Sequence, residues 1–202
     1  MIHIIDYGMG NLGSMRNMLK RIGSNVTIES DPPALALAKK LILPGVGSFD
    51  AAMARINESP GLRDLLEHKA NVEKIPVLGV CLGMQLLTNS SEEGKLPGLG
   101  WIKAKTLRFP NKDGLKVPHM GWNIASPVRK SPLTVDVSTE PRYYFVHSFC
   151  VHAEDLEESI MKTNYGGDFD AAIAKDNIYG VQFHPEKSHR FGMQILRNFS
   201  NL

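Results

Sequence analysis

The strongest chemical signal in this sequence is the five-residue stretch Gly79-Val80-Cys81-Leu82-Gly83. It ends the near-continuous apolar run Pro76 to Val80, the pattern of a central strand buried on both faces, and it opens a helix-like stretch from Leu82 to Leu87. G-x-C-x-G in that context is a cysteine version of the nucleophile elbow. The sharp turn brings the nucleophile against backbone two residues away on either side, where Gly79 and Gly83 supply the room. It exposes the sulfur at the positive end of the following helix, where a thiolate is favoured. The competing structural reading is a buried cysteine between glycines that let a helix pack closely.

A cysteine nucleophile needs a base, and the base needs a group that orients it. Phe183-His184-Pro185-Glu186 follows the last apolar strand-like run, Ile178 to Phe183. Ends of central strands lie side by side in an α/β sheet, so His184 can meet Cys81 despite their distance along the chain. Pro185 stiffens the link, and Glu186 can turn back onto the imidazole nitrogen that faces away from the sulfur. Taken alone, His184 and Glu186 would read as a loop histidine beside a helix-capping glutamate; beside the elbow they complete a triad. A third element is Leu43-Pro44-Gly45-Val46-Gly47-Ser48-Phe49. Its glycines allow a backbone N–H to point into the site, where with the Leu82 amide it would hold an oxyanion, each donor contributing roughly 3 kcal/mol.

Two other patterns are weaker. Gly8-Met9-Gly10-Asn11-Leu12-Gly13 matches G-x-G-x-x-G after a strand, with Glu29 at the end of the next strand, as in dinucleotide-binding folds. Such an enzyme needs a second half-sheet and a substrate domain, and this chain spends its length on the cysteine site. A turn bordering that site, or a partner surface, is the better reading. His147, His152, His184 and His189 with Glu186 form no H-x-x-x-H pair on a credible helix face, so neither a metal nor any other cofactor is expected.

The elements that must position these residues follow from periodicity. Strands are expected at Ile2 to Asp6, Val26 to Glu29, Lys40 to Leu43, Pro76 to Val80 and Ile178 to Phe183. Between them, Asn11 can cap a helix with Leu12, Met15, Leu19 and Ile22 on one face and Gly23 as its stop. Further helices are expected from Asp31-Pro32-Pro33, at Phe49 to Ile56, at Gly61 to His68, and at Arg190 to Phe199 with Phe191, Ile195, Leu196 and Phe199 inward. After Gly94 the texture turns to Gly, Pro and short strand-like pieces, Gly100 to Phe109, Tyr143 to Val151 and Ala171 to Ala174, expected to pair antiparallel or mixed. The architecture is a three-layer α/β domain over residues 1–202, with sites at the carboxyl ends of the strands.

Composition closes off other classes. The 202 residues are 43% hydrophobic and 22% charged, in the ordinary globular range, and 23 Lys and Arg against 21 Asp and Glu leave +2. No basic stripe suits nucleic acid, and no run of about 18 apolar residues suits a membrane. Cys81 and Cys150 lie in apolar strand-like runs, and Met1 to Gly8 has neither a basic leader nor a cleavage site, so a reducing cytoplasm is the expected location.

The stretch GVCLGMQ from Gly79 to Gln85, with His184-Pro185-Glu186, resembles the class I, triad-type glutamine amidotransferases. Within that family, Pro44 to Phe49, Pro118-His119-Met120-Gly121-Trp122-Asn123, Tyr144 to Ser148 and His184 to Ser188 look like the glutaminase subunits of imidazole glycerol phosphate synthases. The resemblance runs from Asp6-Tyr7-Gly8 to the final helix. It implies a flavodoxin-like mixed sheet in one amidotransferase domain, with Cys81 attacking the glutamine amide, His184 moving protons and Glu186 holding His184. It further implies that the Gly47 and Leu82 amides serve the oxyanion, and that Gln85, Glu93 and the Ser148-Phe149 backbone hold the substrate's amino-acid end. Lys187, Trp122, Tyr144 and the turn containing Gly10 and Asn11 would face a partner and an ammonia passage.

A partner is also demanded by the residues themselves. The chain has no P-loop and no room for an acceptor domain, so released ammonia must be used elsewhere. The resemblance makes that partner a (β/α)₈ cyclase barrel of histidine biosynthesis, in a heterodimer. The alternative keeps the chemistry and substitutes an ATP-dependent amidotransferase that makes acetamidino groups on bacterial surface sugars.

Overall fold

The computed structural model describes residues 1–202. In chain order the strands are β1 (Ile2–Ile5), β2 (Val26–Glu29), β3 (Lys40–Gly45), β4 (Val77–Cys81), β5 (Ser90–Ser91), β6 (Ala104–Arg108), β7 (His119–Ile124), β8 (Ser126–Pro127), β9 (Arg142–His147), β10 (Phe149–Ala153), β11 (Ser159–Asn164), β12 (Asp168–Lys175) and β13 (Ile178–Val181). The helices are α1 (Leu12–Arg21), α2 (Pro32–Leu35), α3 (Phe49–Glu58), α4 (Leu62–Glu67), α5 (Leu82–Leu86) and α6 (His189–Ser200).

The large sheet runs β2-β1-β3-β4-β13-β12-β10-β6-β5, and β11 pairs with both β12 and β8. Its first five strands are parallel, whereas β12 runs antiparallel to β13 and to β11, and β10 antiparallel to β12 and β6. The fold is therefore mixed α/β. A separate two-stranded sheet pairs β7 with β9.

Every residue of β1, β4 and β13 is buried, because helices cover both faces. On one face Ile2, Ile4, Ile42, Leu78 and Val80 meet Met15 and Leu19 of α1 and Ile195, Leu196 and Phe199 of α6. On the other, Ile5, Leu41, Leu43 and Val77 meet Phe49, Met53 and Ile56 of α3, Leu62 and Leu66 of α4, and Leu86 of α5. A ten-residue helix is marginal in water, so burial of Met15 and Leu19, roughly 1.5–3 kcal/mol each, holds α1 in place.

Several expectations need correction. Asn11 stands at the start of α1 but its side chain makes no capping bond; its carbonyl takes the Met15 N–H, and φ −91°, ψ 66° lies outside the extended conformation of a capping residue. The run Tyr143 to Val151 is two strands in two sheets, broken at Ser148. His119–Ile124 and Ser159–Asn164 are strands that apolar alternation did not reveal. In β7 the buried side is His119, while Met120, Trp122 and Ile124 face outward. Phe191 is only half-buried, unlike Ile195, Leu196 and Phe199.

Candidate active site

β4 ends at Cys81, and the backbone turns there with φ +56°, ψ −111°, a conformation that side-chain-bearing residues rarely adopt. The neighbouring glycines make this turn possible, each in a different way. A Cβ on Gly79 would lie 2.5 Å from the Gly83 carbonyl oxygen, so Gly79 relieves the elbow itself. A Cβ on Gly83 would lie 1.8 Å from the Leu43 carbonyl oxygen, so Gly83 instead lets α5 press against β3.

Sheet register then assembles the rest. β4 lies between β3 and β13, with Gly45 opposite Cys81 and Val181 opposite Val80. The chain leaving β13 therefore delivers Gln182, Phe183 and His184 beside the elbow. His184 is pinned by its own N–H to the Tyr144 carbonyl (2.9 Å), while the Ser188 hydroxyl donates to the His184 carbonyl (2.6 Å) and accepts the Tyr144 N–H (2.9 Å). Ser188, which ends the His184 to Ser188 motif without a role assigned from sequence, is thus a supporting residue.

His184 Nδ1 lies 2.9 Å from Glu186 Oε1, and both side chains are buried. Burial alone would push the imidazole pKa down. Hydrogen bonding and charge from the Cys81 sulfur and Glu186 outweigh it and raise the value from 6.5 to about 10. Nε2 is buried without a hydrogen bond of good geometry, as is common before substrate tightens a site. The Cys81 sulfur sits 3.9 Å from the Val146 carbonyl and 3.9 Å from Gln182 Nε2.

Cys81 and His184 open into a cavity of about 350 Å³, also lined by Val46, Gly47, Leu82, Gln85, Glu93, Pro118, Val146, His147, Ser148, Phe149 and Lys187. The proposed oxyanion and substrate residues therefore share one space with Cys81 and His184, while Glu186 stands behind His184. A larger hollow beside α6, lined by Tyr143, Arg190 and Phe191, contains no cysteine or histidine and none of the residues of this site. Glu93 Oε2 accepts the Phe49 N–H (2.9 Å) at the start of α3, and Asp50 accepts the Lys95 and Leu96 N–H groups, which fixes the Glu93 loop. Both amide protons of Gln85 are engaged, by the Phe149 carbonyl (3.1 Å) and Gln182 Oε1 (3.0 Å), so only its Oε1 is open to a ligand.

The G-x-G-x-x-G turn packs against the loop at residues 44–47 and not on the cavity itself. A Cβ on Gly10, at φ +113°, would be 3.0 Å from Pro44 Cβ, and Met9 Cε lies 2.9 Å from where a Cβ of Gly47 would stand. Gly47 itself has φ +100°. Gly13 has nothing within 4 Å of a Cβ, so it lacks the close helix packing that the third glycine of a dinucleotide fingerprint provides. The Tyr7 hydroxyl donates to the Pro44 carbonyl (2.6 Å) and steadies the loop from beneath. Trp122 is 48% exposed and stacks on His189, opposite Tyr144 in the β7–β9 pair; Lys187 Nζ is 5.7 Å from the Tyr144 ring centre, and Asn11 is exposed.

The described arrangement can carry out acyl transfer: a sulfur nucleophile, an imidazole beside it, a buried carboxylate behind the imidazole, and glycine-rich backbone facing the same space. A model of the glutamine amidotransferase class-I family matches residues 3–201. An imidazole glycerol phosphate synthase subunit HisH 2 of Methanococcus maripaludis is 54% identical over 199 residues, 98% of each chain. A subunit HisH of the same synthase from Bdellovibrio bacteriovorus is 50% identical over 205 aligned positions and the full length of both chains. A glutamine amidotransferase crystal structure superposes with a TM-score of 0.78 over 100% of this chain and 99% of that one, at 15% identity.

Proposed function

The chain belongs to the class-I glutamine amidotransferase family, among the HisH subunits, and from that premise we propose that it hydrolyses the side-chain amide of glutamine and passes the ammonia to a cyclase subunit of imidazole glycerol phosphate synthase. The observation that carries the chemistry is the register that sets β13 beside β4, which puts His184, backed by Glu186, in one cavity with Cys81.

In the proposed reaction Cys81 Sγ adds to the glutamine amide carbon, and the Gly47 and Leu82 amides receive the oxyanion. Collapse of the tetrahedral adduct breaks the C–N bond, and the imidazolium of His184 gives its proton to the departing nitrogen, releasing ammonia. The remaining glutamyl thioester is attacked by water, whose proton returns to His184. The second tetrahedral adduct expels Cys81 Sγ, glutamate leaves, and the cysteine and imidazole are ready for another turnover. Glu186 holds the imidazole in one tautomer throughout. Gln85 Oε1, Glu93 and the Ser148-Phe149 backbone surround the substrate's amino-acid end.

Ammonia freed into neutral water would mostly become ammonium, a poor nucleophile, so transfer requires a closed passage to the second subunit. Gly10, Asn11, Trp122, Tyr144 and Lys187 are proposed to border the passage and the partner, which is read as a (β/α)₈ barrel in a heterodimer working in the cytoplasm. The relatives' names support that cyclase and lend nothing to a surface-sugar amidotransferase. Glutamate release by the chain with a cyclase barrel and its nucleotide ligand, compared with the chain alone, tests the assignment. Stimulation that needs both barrel and ligand is expected; slow hydrolysis that the barrel leaves unchanged would overturn the cyclase as partner. Cys81→Ala is expected to abolish glutamine use while the complex still uses added ammonium; loss of both would make Cys81 structural.

A further inference from the structure

A buried chain of polar side chains reaches the cavity at His147, one of its lining residues, and has no part in the mechanism above. The Phe149 carbonyl can only accept, so His147 Nδ1, 2.7 Å away, carries a proton and donates to it. His147 Nε2 then presents its lone pair to His119 Nδ1 at 2.9 Å, which must donate. His119 Nε2 in turn accepts from the Asn123 amide at 3.3 Å. The orientation of that amide is fixed at its other end, because Asn123 Oδ1 accepts the Ile124 N–H (2.8 Å) and Nδ2 also donates to the Asn164 carbonyl (3.0 Å). The His119 ring is stacked on Phe145 and Tyr165, with ring centres 4.8 and 4.0 Å away.

Only one proton arrangement satisfies every bond in this chain, and in it both imidazoles are neutral. A second proton on either ring would set N–H against N–H. Burial enforces the same state, lowering the His119 pKa to about 4 and that of His147 to about 3.

The chain ends where the substrate segment begins. Ser148 joins β9 of the small sheet to β10 of the large one, and it lines the cavity with Phe149. The Phe149 carbonyl receives His147 on one lone pair and Gln85 on the other, which fixes the rotation of the backbone at this crossing point. We infer that His147, held in a single tautomer by His119, is a positioning residue that orients the Ser148-Phe149 backbone toward the amino-acid end of glutamine. The inference rests on the glutaminase reading and adds two residues to it that no elbow or triad motif contains.

Glutamine kinetics in the cyclase complex test it. His147→Leu removes the donor to Phe149 and is expected to raise KM for glutamine about tenfold or more while kcat changes about threefold or less. His147→Asn restores a donor close to the place of Nδ1 and is expected to bring KM back to within a few-fold of wild type. His119→Phe keeps the stacking but frees the tautomer, and an intermediate KM is expected; it carries the test if His147→Leu fails to fold. Unchanged KM in a folded His147→Leu or His119→Phe chain, or a loss confined to kcat, would overturn the positioning role while leaving the glutaminase reading intact. Failure of the wild-type complex to hydrolyse glutamine would overturn both.

Discussion

At the scale of single residues, the sharpest expectation concerns Glu186. Its Oε1 is 2.9 Å from His184 Nδ1 in a buried setting. Glu186→Gln keeps the size and removes the charge that orients and supports the imidazolium, so kcat is expected to fall by about 10²–10⁴-fold with KM little changed. The same partners give a pH signature. The folded His184 pKa is raised from 6.5 to about 10, so the stability contributed by its protonated form is complete below pH 6.5 and is lost as pH rises toward 10. Denaturation midpoints measured between pH 6 and 10 are expected to decline in wild type and to flatten in Glu186→Gln and Cys81→Ala. Motif reading found Cys81, His184 and Glu186 because each carries chemistry in its side-chain type. It assigned no role to Ser188, Gln182 or the His119–His147 pair, whose roles come from where β7, β9 and the segments that follow β13 place them.

At the scale of elements, two glycine substitutions separate a required glycine from an incidental one. Gly83→Ala would drive a methyl into the Leu43 carbonyl at 1.8 Å, with backbone on both sides and no flexible side chain to yield. A loss of about 3 kcal/mol is expected, read by chemical denaturation, with the elbow displaced and glutaminase activity lost. Gly13→Ala sits on the exposed face of α1 with open space around it, and a gain of about 0.5–1 kcal/mol is expected. A loss at Gly13 would mean that the G-x-G-x-x-G turn needs close helix approach after all. Element types in the first half were readable because parallel strands covered on both faces appear as apolar runs separated by helical periodicity. The second half was harder to read: β7 exposes Met120, Trp122 and Ile124 and buries His119, which inverts the pattern that marks a core strand.

At the scale of the whole molecule, the two sheets meet at Ser148, and the histidine pair beside that crossing makes their union sensitive to acid. His119 and His147 bind protons less readily in the folded chain than in the unfolded chain, where 6.5 is the ordinary value. The unfolded state therefore gains protons first as pH falls, and stability is expected to drop by a few kcal/mol between pH 6.5 and about 3, then level off. Denaturant midpoints across that range check the slope, which should shrink in His119→Phe. A slope unchanged by that substitution would assign the acid sensitivity to other groups.

The sequence by itself determined the chemistry on offer, the α/β alternation, the elbow at the end of β4 and the resemblance of the chain to a known family. These are local properties: a residue type, a hydrophobic period and a glycine at a tight turn act within a few positions of one another. Only the tertiary structure decided that Tyr143 to Val151 divides between two sheets, that Gly10 leans on Pro44, that Gly83 makes room for β3, and that the Phe149 carbonyl and His119 together hold His147 in one tautomer. Such relations depend on strand register and on distances between segments remote along the chain, and no single stretch of sequence contains them.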